Sequence, residues 1–286
     1  MNATATASRH VARTFRGQPA SDGAGVKLTR VIGQRDLDML DPFLLLDEFR
    51  SDQADDYLAG FPNHPHRGFE TVTYMLAGRM RHGDNQGNSG LLTPGSVQWM
   101  TAGRGIVHSE MPEQENGLMA GFQLWVNLPA KDKMTAPRYQ DIAPERIPLV
   151  DAGDGVRVRV IAGRYGDATG PVSGIAIDPL YLDFELAPGA RAVASIPAGH
   201  SAFAYVYEGA AELGPVGAAR RVAHSELAVL DRDGESLLIG AGETPTRLIV
   251  VAGKPLNEPV ARYGPFVMNT PEQIVEAIRD YQSGKF

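Results

Sequence analysis

The chain has 286 residues, close to the length of two average domains. Hydrophobic residues make up 43% and charged residues 21%, which is typical of a globular protein and too apolar for intrinsic disorder. The net charge of −7, without a basic cluster, argues against a surface that binds nucleic acid, and the absence of cysteine excludes disulfides, thiolate metal sites and cysteine nucleophiles.

The apolar runs have the length of strands. The run Leu248 to Ala252 is among the longest, whereas a membrane helix needs roughly 20 apolar residues. The first 17 residues lack the apolar core of a secretory signal. We therefore expect a cytoplasmic protein that does not enter a membrane, with an organellar presequence as the alternative.

From Val26 onward, short segments of alternating hydrophobicity are separated by turn residues. Clear examples are residues 70–76, residues 91–100 with an interruption at Pro94 and Gly95, and residues 175–186. The 32 glycines and 20 prolines make long helices scarce. This pattern predicts an all-β protein built from antiparallel barrels or sandwiches.

A polar stretch with four prolines, residues 127–148, is typical of a linker. It divides the chain almost in half and predicts two domains, residues 1–135 and 136–286. Residues 69–78 align by eye with 200–209, and 94–103 with 233–242. The halves are therefore predicted to be two barrels of the same design, packed together.

One helix is predicted near the end of the chain, in the second domain. The segment Asn269 to Glu272 supplies a cap, an early proline and a first-turn acid. Ile274, Ile278 and Tyr281 then fall on one helical face. We expect this face to pack across the outside of a sheet.

Two short motifs carry potential metal ligands: His64-Pro65-His66 and His108-Ser109-Glu110. On a strand, residues i and i+2 project to the same face, so each motif can direct two ligand atoms at one point. Strands that return the second motif beside the first would complete a site of three imidazoles and one carboxylate. Such a site suits Fe(II), with Mn(II), Ni(II), Cu(II) or Zn(II) as competitors.

The alternative is that these histidines are structural, because a His-x-His pair taken alone is weak evidence for a metal site. The nearby turn-forming glycines favour the metal interpretation. The other histidines lack such partners: His82 is predicted to be an exposed hairpin residue, and neither His10 nor His224 has a partner at ligand spacing. Arg67 is predicted to be a surface or rim residue that pairs with an acid.

Two long motifs resemble the pirin family of the cupin superfamily. They are residues 61–74, FPNHPHRGFETVTY, and residues 98–112, QWMTAGRGIVHSEMP. Residues 41–49 and 264–270 are also similar to that family. The resemblance implies two jelly-roll cupin barrels with a single metal in the N-terminal barrel, usually iron, with Mn, Ni, Cu, Co or Zn as alternatives.

Carried over by motif, the resemblance implies that His64, His66, His108 and Glu110 are the metal ligands. Many other cupins take a glutamate placed like Glu70 as the metal-binding acid. Pirins take the acid from the second motif, so Glu70 is expected to support the site through hydrogen bonds.

The second half is expected to lack a metal. The alignment places Ser195 and Pro197 opposite the first histidine pair, and Arg247 and Ile249 opposite His108 and Glu110. None of these is a typical ligand, and His200, the nearby histidine, is expected to lie in a loop. The second barrel is expected to pack against the first.

The resemblance implies a quercetin 2,3-dioxygenase-like oxidoreductase that acts with O2 on a flavonol-like aromatic substrate. Glu110 would serve as the catalytic base for the substrate hydroxyl. The alternative is an iron-binding, redox-sensing regulatory protein that acts through protein partners rather than by direct DNA binding. We expect a monomer.

Overall fold

The computed structural model describes residues 7–286. Its strands are, in chain order, β1 (Val11–Arg16), β2 (Gln18–Asp22), β3 (Val26–Ile32), β4 (Phe43–Ser51), β5 (Phe61–His66), β6 (Phe69–Ala77), β7 (Met80–Asp84), β8 (Ser89–Leu92), β9 (Val97–Thr101), β10 (Ile106–Pro112), β11 (Met119–Asn127), β12 (Arg138–Ile142), β13 (Leu149–Gly153), β14 (Val156–Ala162), β15 (Arg164–Tyr165), β16 (Ala168–Thr169), β17 (Leu180–Leu186), β18 (Arg191–Ser195), β19 (Ser201–Glu208), β20 (Ala210–Leu213), β21 (Arg220–Ala223), β22 (Glu226–Leu230), β23 (Ser236–Ala241), β24 (Thr246–Gly253), β25 (Ala261–Tyr263) and β26 (Phe266–Met268).

Helical segments are few. The α-helix α1 spans Pro271–Gln282, and three 3₁₀ turns cover Ala54–Asp56, Ala130–Asp132 and Pro144–Arg146. No helix within residues 7–286 is long and apolar enough to cross a bilayer. The predicted all-β class with one short C-terminal helix is confirmed.

The chain divides into two compact units. Barrel 1 comprises residues 18–144 and 256–286, and barrel 2 comprises residues 7–17 and 145–255. This partition differs from the predicted division at 135/136. Residues 7–17, near the start of the chain, belong to barrel 2, and residues 256–286, at its end, belong to barrel 1. The segment containing β1 adds a strand to the sheet of barrel 2, and the segment containing α1 belongs to barrel 1.

Each barrel is formed by a seven-stranded and a four-stranded antiparallel sheet. In barrel 1 the strand orders are β12-β9-β6-β11-β4-β3-β2 and β5-β10-β7-β8. In barrel 2 they are β1-β22-β19-β24-β17-β14-β13 and β18-β23-β20-β21. The two orders match strand for strand, so the predicted repeat of one design is confirmed.

Of the two predicted alignments between the halves of the chain, one agrees with the strand orders and the other does not. β6 and β19 occupy the same sheet position, as predicted from residues 69–78 and 200–209. The second pairing was wrong, because β23 takes the place of β10, whereas the counterpart of β9 is β22. Ser195 has its predicted place on β18, the counterpart of β5, but Arg247 and Ile249 lie on β24, the counterpart of β11.

Most predicted strands are present with altered ends. Residues 70–76 lie within β6, and residues 91–100 form parts of β8 and β9 on either side of Pro94 and Gly95. In the segment 175–186 the strand begins only at Leu180. The predicted linker contains β12, which pairs with β9 from Arg138 to Ile142.

Alternation along β6 shows where the interior of barrel 1 lies. Met75 packs in a buried cluster with Leu28, Phe49 and Met80, and Thr73 lies on the same face of the strand. Glu70, Val72 and Tyr74 project to the opposite face.

The C-terminal helix begins as predicted. Thr270 accepts a hydrogen bond from the backbone N–H of Gln273, whose side chain accepts from the Thr270 backbone, which is a reciprocal capping box. Ile274 and Ala277 are buried against the β25–β26 hairpin in barrel 1, and Ile278 is partly buried there. Tyr281 remains 40% exposed.

Candidate metal centre

Two antiparallel strands of barrel 1 bring three histidines together. β5 carries His64 and His66, and β10 carries His108. In the register of this pair His108 lies directly opposite His64, and Ile106 lies opposite His66. His64 and His66 share one face of β5, and His108 is the cross-strand neighbour of His64, so the three imidazoles converge on one point.

The imidazole nitrogens lie close together. One ligand nitrogen from each of the three rings falls within 4.8 Å of the others, and Nε2 of His64 is 3.0 Å from Nε2 of His66. Two nitrogens bound at about 2.1 Å to one metal ion are about 3.0 Å apart when their bonds form a right angle. The spacing of His64 and His66 therefore suits two ligands of one ion.

The protonation chemistry also suits a metal. Burial lowers the pKa of His66 well below its usual range, and the charges of His108 and His64 add to the shift. Burial likewise lowers the pKa of His108, with His64 and His82 adding to it. Both rings are therefore neutral near pH 7 and offer a lone pair.

Hydrogen bonding indicates which nitrogens can bind. His64 Nδ1 lies 2.8 Å from the carbonyl oxygen of Pro62, and donation there leaves Nε2 as the lone-pair nitrogen. His108 is fully buried, yet neither of its ring nitrogens has a hydrogen-bond partner within residues 7–286. A buried polar ring without partners is costly, and a bound cation would satisfy it.

Aromatic rings and an ion pair surround this cluster. The ring centroid of His66 lies 5.2 Å from that of Trp125 and 5.0 Å from that of Phe69. The adjacent Arg67 donates to the carbonyl of Arg104 and to Asp280, 3.0 Å away. Its predicted acidic partner is present, but Arg67 is 3% exposed and thus buried rather than at the surface.

A cavity of about 610 Å³ opens beside the cluster within barrel 1. His64 and His66 form part of its wall, and Trp125 and Phe61 give it aromatic surface. Its further apolar wall residues are Leu28, Leu45, Phe49 and Met80. The metal-ligand candidates thus face a space large enough for a small aromatic molecule.

Comparison with known proteins agrees with this architecture. The family model "Pirin" matches residues 25–126, and the model "Pirin C-terminal cupin domain" matches residues 181–286. The chain belongs to the pirin family. The resemblance stated from the two sequence motifs is therefore confirmed.

Similar pirins cover nearly the whole chain. A Pseudomonas aeruginosa protein whose name assigns it provisionally as a quercetin 2,3-dioxygenase is 53% identical over 98% of both chains. Human pirin is 44% identical over 97% of this chain and 94% of its own. A crystal structure named quercetin 2,3-dioxygenase, from Acinetobacter baumannii, has a TM-score of 0.89 and 37% identity over 98% of this chain and 99% of that one.

Glu110, the fourth predicted ligand of this pirin, is buried near the histidines but outside their tight cluster. Its Oε1 accepts a hydrogen bond of 2.8 Å from Thr73 Oγ1, and its Oε2 accepts one of 3.0 Å from Gln123 Nε2. A register shift between His108 and Glu110 places the glutamate opposite Phe61. The carboxylate is thus held by two neutral donors on the cavity wall.

Glu70 lies on the opposite face of β6 from Thr73 and the barrel interior. Its Oε1 accepts a 2.6 Å hydrogen bond from Thr101. Burial raises the pKa of Glu70, and the Thr101 hydrogen bond opposes the shift. Glu70 thus makes a hydrogen bond, but on the face of β6 opposite the cavity, and its expected support of the metal site stays a prediction.

The prediction for His82 was wrong. This side chain is 1% exposed, because β7 directs it into barrel 1, where Nε2 lies 3.1 Å from Asp141 Oδ2. His10 and His224 are exposed, and neither joins a metal-type cluster within the described part of the chain. His200 lies in a loop, with Nε2 3.1 Å from the carbonyl of Asp178.

Sequence reasoning missed two polar residues that line the cavity, Gln123 and Thr73. Gln123 stands among apolar neighbours on β11, and Thr73 sits mid-strand on β6. A lone amide in an otherwise buried strand was the available signal for Gln123. Its partner on another strand could be identified only from the strand register.

Proposed function

We propose that this pirin is a metal-dependent dioxygenase that cleaves flavonols such as quercetin with O2. The observation that carries the proposal is the convergence of three imidazoles, of which His64 and His66 lie on the wall of an aromatic-lined cavity. The names of the Pseudomonas and Acinetobacter relatives point to the same activity.

His64, His66, His108 and Glu110 would hold one divalent metal per chain, Fe(II) in this proposal. The unpartnered nitrogens of His108 and the 3.0 Å spacing of His64 and His66 support the imidazole part of this set. Imidazole and carboxylate donors suit Fe(II), as they do the competing divalent metals. Such a metal would lower the pKa of a coordinated enol hydroxyl and would mediate electron transfer between the substrate and O2.

The chain's own residues would orient the substrate and take up its proton. The flavonol rings would lie between Trp125 and Phe61, with the enol oxygen toward His64 and His66. Glu110 would move away from the metal to accept the enol proton, and Thr73 and Gln123, which donate to its carboxylate, would orient it. Ring cleavage by O2 would then release carbon monoxide.

The test begins with elemental analysis of natively expressed protein. O2 uptake and the loss of flavonol absorbance are then measured with the metal that is found. We expect Fe(II)-loaded protein to consume O2 and to bleach the flavonol band. Absence of turnover with Fe, Mn, Ni, Co and Cu would overturn the proposal and favour the regulatory alternative.

A variant pair tests the role of Glu110. We expect Glu110→Gln to keep most of the metal and to lose at least about 100-fold in turnover, because an amide does not accept the proton. Glu113→Gln makes the same chemical change just beyond the end of β10, where Glu113 pairs with Arg81, and should retain activity. Full activity in Glu110→Gln would remove the proposed base.

A further inference from the structure

The cavity of barrel 1 contains two arginines in different electrostatic states. Arg30 donates from Nε to Asp47 Oδ1 at 2.9 Å, and its NH2 nitrogen donates to Asp47 Oδ2 at 2.7 Å and to Asp22 Oδ2 at 2.8 Å. The single positive charge of Arg30 is therefore more than offset by two carboxylates that line the same cavity. This leaves Arg262 as the second cation of the cavity wall.

Arg262 has no such partner. Its guanidinium makes one hydrogen bond within residues 7–286, from NH1 to the carbonyl of Leu44 at 3.1 Å, and no carboxylate in that range lies within 4.0 Å of it. An arginine has five N–H donors, so most of them are available to a ligand. Arg262 is an exposed residue, and it lines the cavity.

A row of contacts links Arg262 to the candidate metal centre. The guanidinium carbon lies 5.0 Å from the ring centroid of Trp125, which orients the planar group by a cation–π contact. The other neighbour of Trp125 in this row is His66, with ring centroids 5.2 Å apart. An aromatic molecule placed against Trp125 in the cavity would therefore lie near both His66 and a guanidinium that has no carboxylate partner.

We propose that Arg262 forms a subsite for an anionic substituent on an aromatic ligand, such as a carboxylate, sulfonate or sulfate. The planar fork of a guanidinium matches such oxygen pairs. In the proposed enzyme this subsite would select aromatic substrates that carry an acidic group. Its role in substrate selection therefore rests on the proposed function. Arg30 offsets one of the two negative charges of Asp22 and Asp47. These two carboxylates and Asp38 act on Arg262 only at longer range, because none of them lies within 4.0 Å of its guanidinium. The preference therefore depends on the N–H donors of Arg262 rather than on the net charge of the cavity.

The test uses two fluorescent probes that differ by one anionic group, anilinonaphthalene sulfonate and phenylnaphthylamine. Their dissociation constants are measured for the wild type, Arg262→Gln and Arg81→Gln. Arg81 is the matched control, because it lies away from the cavity and pairs with Glu113 at 2.7 Å. We expect Arg262→Gln to reduce the preference for the sulfonate probe by about tenfold, with less than about twofold change in Arg81→Gln.

Salt provides a second measurement on the wild type alone. Its preference for the sulfonate probe should fall as the salt concentration rises, because the subsite is partly exposed. An unchanged preference in Arg262→Gln, an equal loss in Arg81→Gln or insensitivity to salt would each overturn the proposal. Neither probe carries the enol of a flavonol, so a failure to oxidise quercetin would defeat the proposed activity while leaving this result intact.

Discussion

Barrel 1 and barrel 2 have the same strand order but contrasting interiors. Across the large sheet of barrel 1, directly paired positions on successive strands form a polar row: Arg30, Asp47, Gln123, Thr73, Gln98 and Asp141. The corresponding row on the large sheet of barrel 2 is apolar over five strands and ends in the exposed Thr14 on the edge strand β1; its apolar members are Val160, Leu182, Val250, Ala204 and Ala228. The fold therefore does not require the polar row.

The small sheets differ in the same way. Where β5 and β10 present His64, His66 and His108, the equivalent strands β18 and β23 bury Ala192, Ala194, Leu237 and Ile239. Alanine and leucine supply no metal ligand, and their packing stabilises the barrel by hydrophobic burial. Barrel 2 thus shows what this architecture looks like when stability alone determines its interior.

The polar row of barrel 1 is maintained by pairing within it. Glu110 accepts from Thr73 and Gln123, Arg30 donates to Asp47, and Asp141 accepts from Gln98 at 2.9 Å. Buried polar groups that find partners avoid most of the desolvation penalty. The polar row is therefore held by separate hydrogen-bonded groups, one of which includes Glu110 from the small sheet.

The largest expected effect comes from removing one imidazole from barrel 1. His66→Ala should weaken metal binding by at least about 100-fold, because a ligand is lost outright rather than merely reoriented. Elemental analysis after dialysis measures the metal retained per chain. The matched control is His224→Ala in barrel 2, where the histidine is exposed, and this variant should retain the metal. Equal metal content in the two variants would contradict the assignment of the site to barrel 1.

A second substitution places the polar residue of one barrel in the other. Val250 occupies the row position in barrel 2 that Gln123 occupies in barrel 1. Val250→Gln buries an amide among apolar side chains, and should lower the free energy of unfolding by about 2 kcal/mol more than Val250→Met. Methionine has a similar length without the polar group, so the difference between the two variants in urea unfolding isolates the polarity. Equal losses would show that barrel 2 tolerates polar groups and would weaken the comparison.

The strand pattern and the histidine motifs were predictable because their signals are local. Alternation over residues 70–76 indicates β6, and His64 with His66 two residues apart predicts a shared face. The ring nitrogens of His108 lie close to those of His64 and His66 because of the register between β5 and β10. The two long sequence motifs indicate this proximity only through their resemblance to a known family.

Non-local pairing explains what the sequence did not show. β12 resembles a linker, because Pro137 and Pro144 flank it and its burial comes from the neighbouring β9. His82 follows a hairpin signal, yet it is buried, and its ring pairs with Asp141, 59 residues away along the chain. The assignment of the first strand to barrel 2 likewise depends on a long-range pairing, between β1 and β22. No local sequence pattern indicates such a pairing.

A further expected effect is a pH dependence of stability caused by a buried cation of barrel 1. Lys133 Nζ donates to the carbonyls of Gly68 and Val267 and to Asn127, and burial lowers the pKa of Lys133 to about 8. Because the unfolded chain retains an ordinary lysine pKa, it binds more protons than the folded chain above about pH 8. Charged Lys133 therefore opposes folding below that pH, and stability should rise as the lysine loses its proton.

Between about pH 7.5 and 9.5 this contribution should amount to about 2 kcal/mol. It is measured as the difference between the unfolding free energies of the wild type and Lys133→Met across that range, since other groups titrate alike in both proteins. An NMR titration of the Lys133 side chain supplies the same pKa without a substitution. A midpoint near the ordinary lysine value would show that the three oxygen acceptors offset the burial, so that barrel 1 holds this charge without loss of stability.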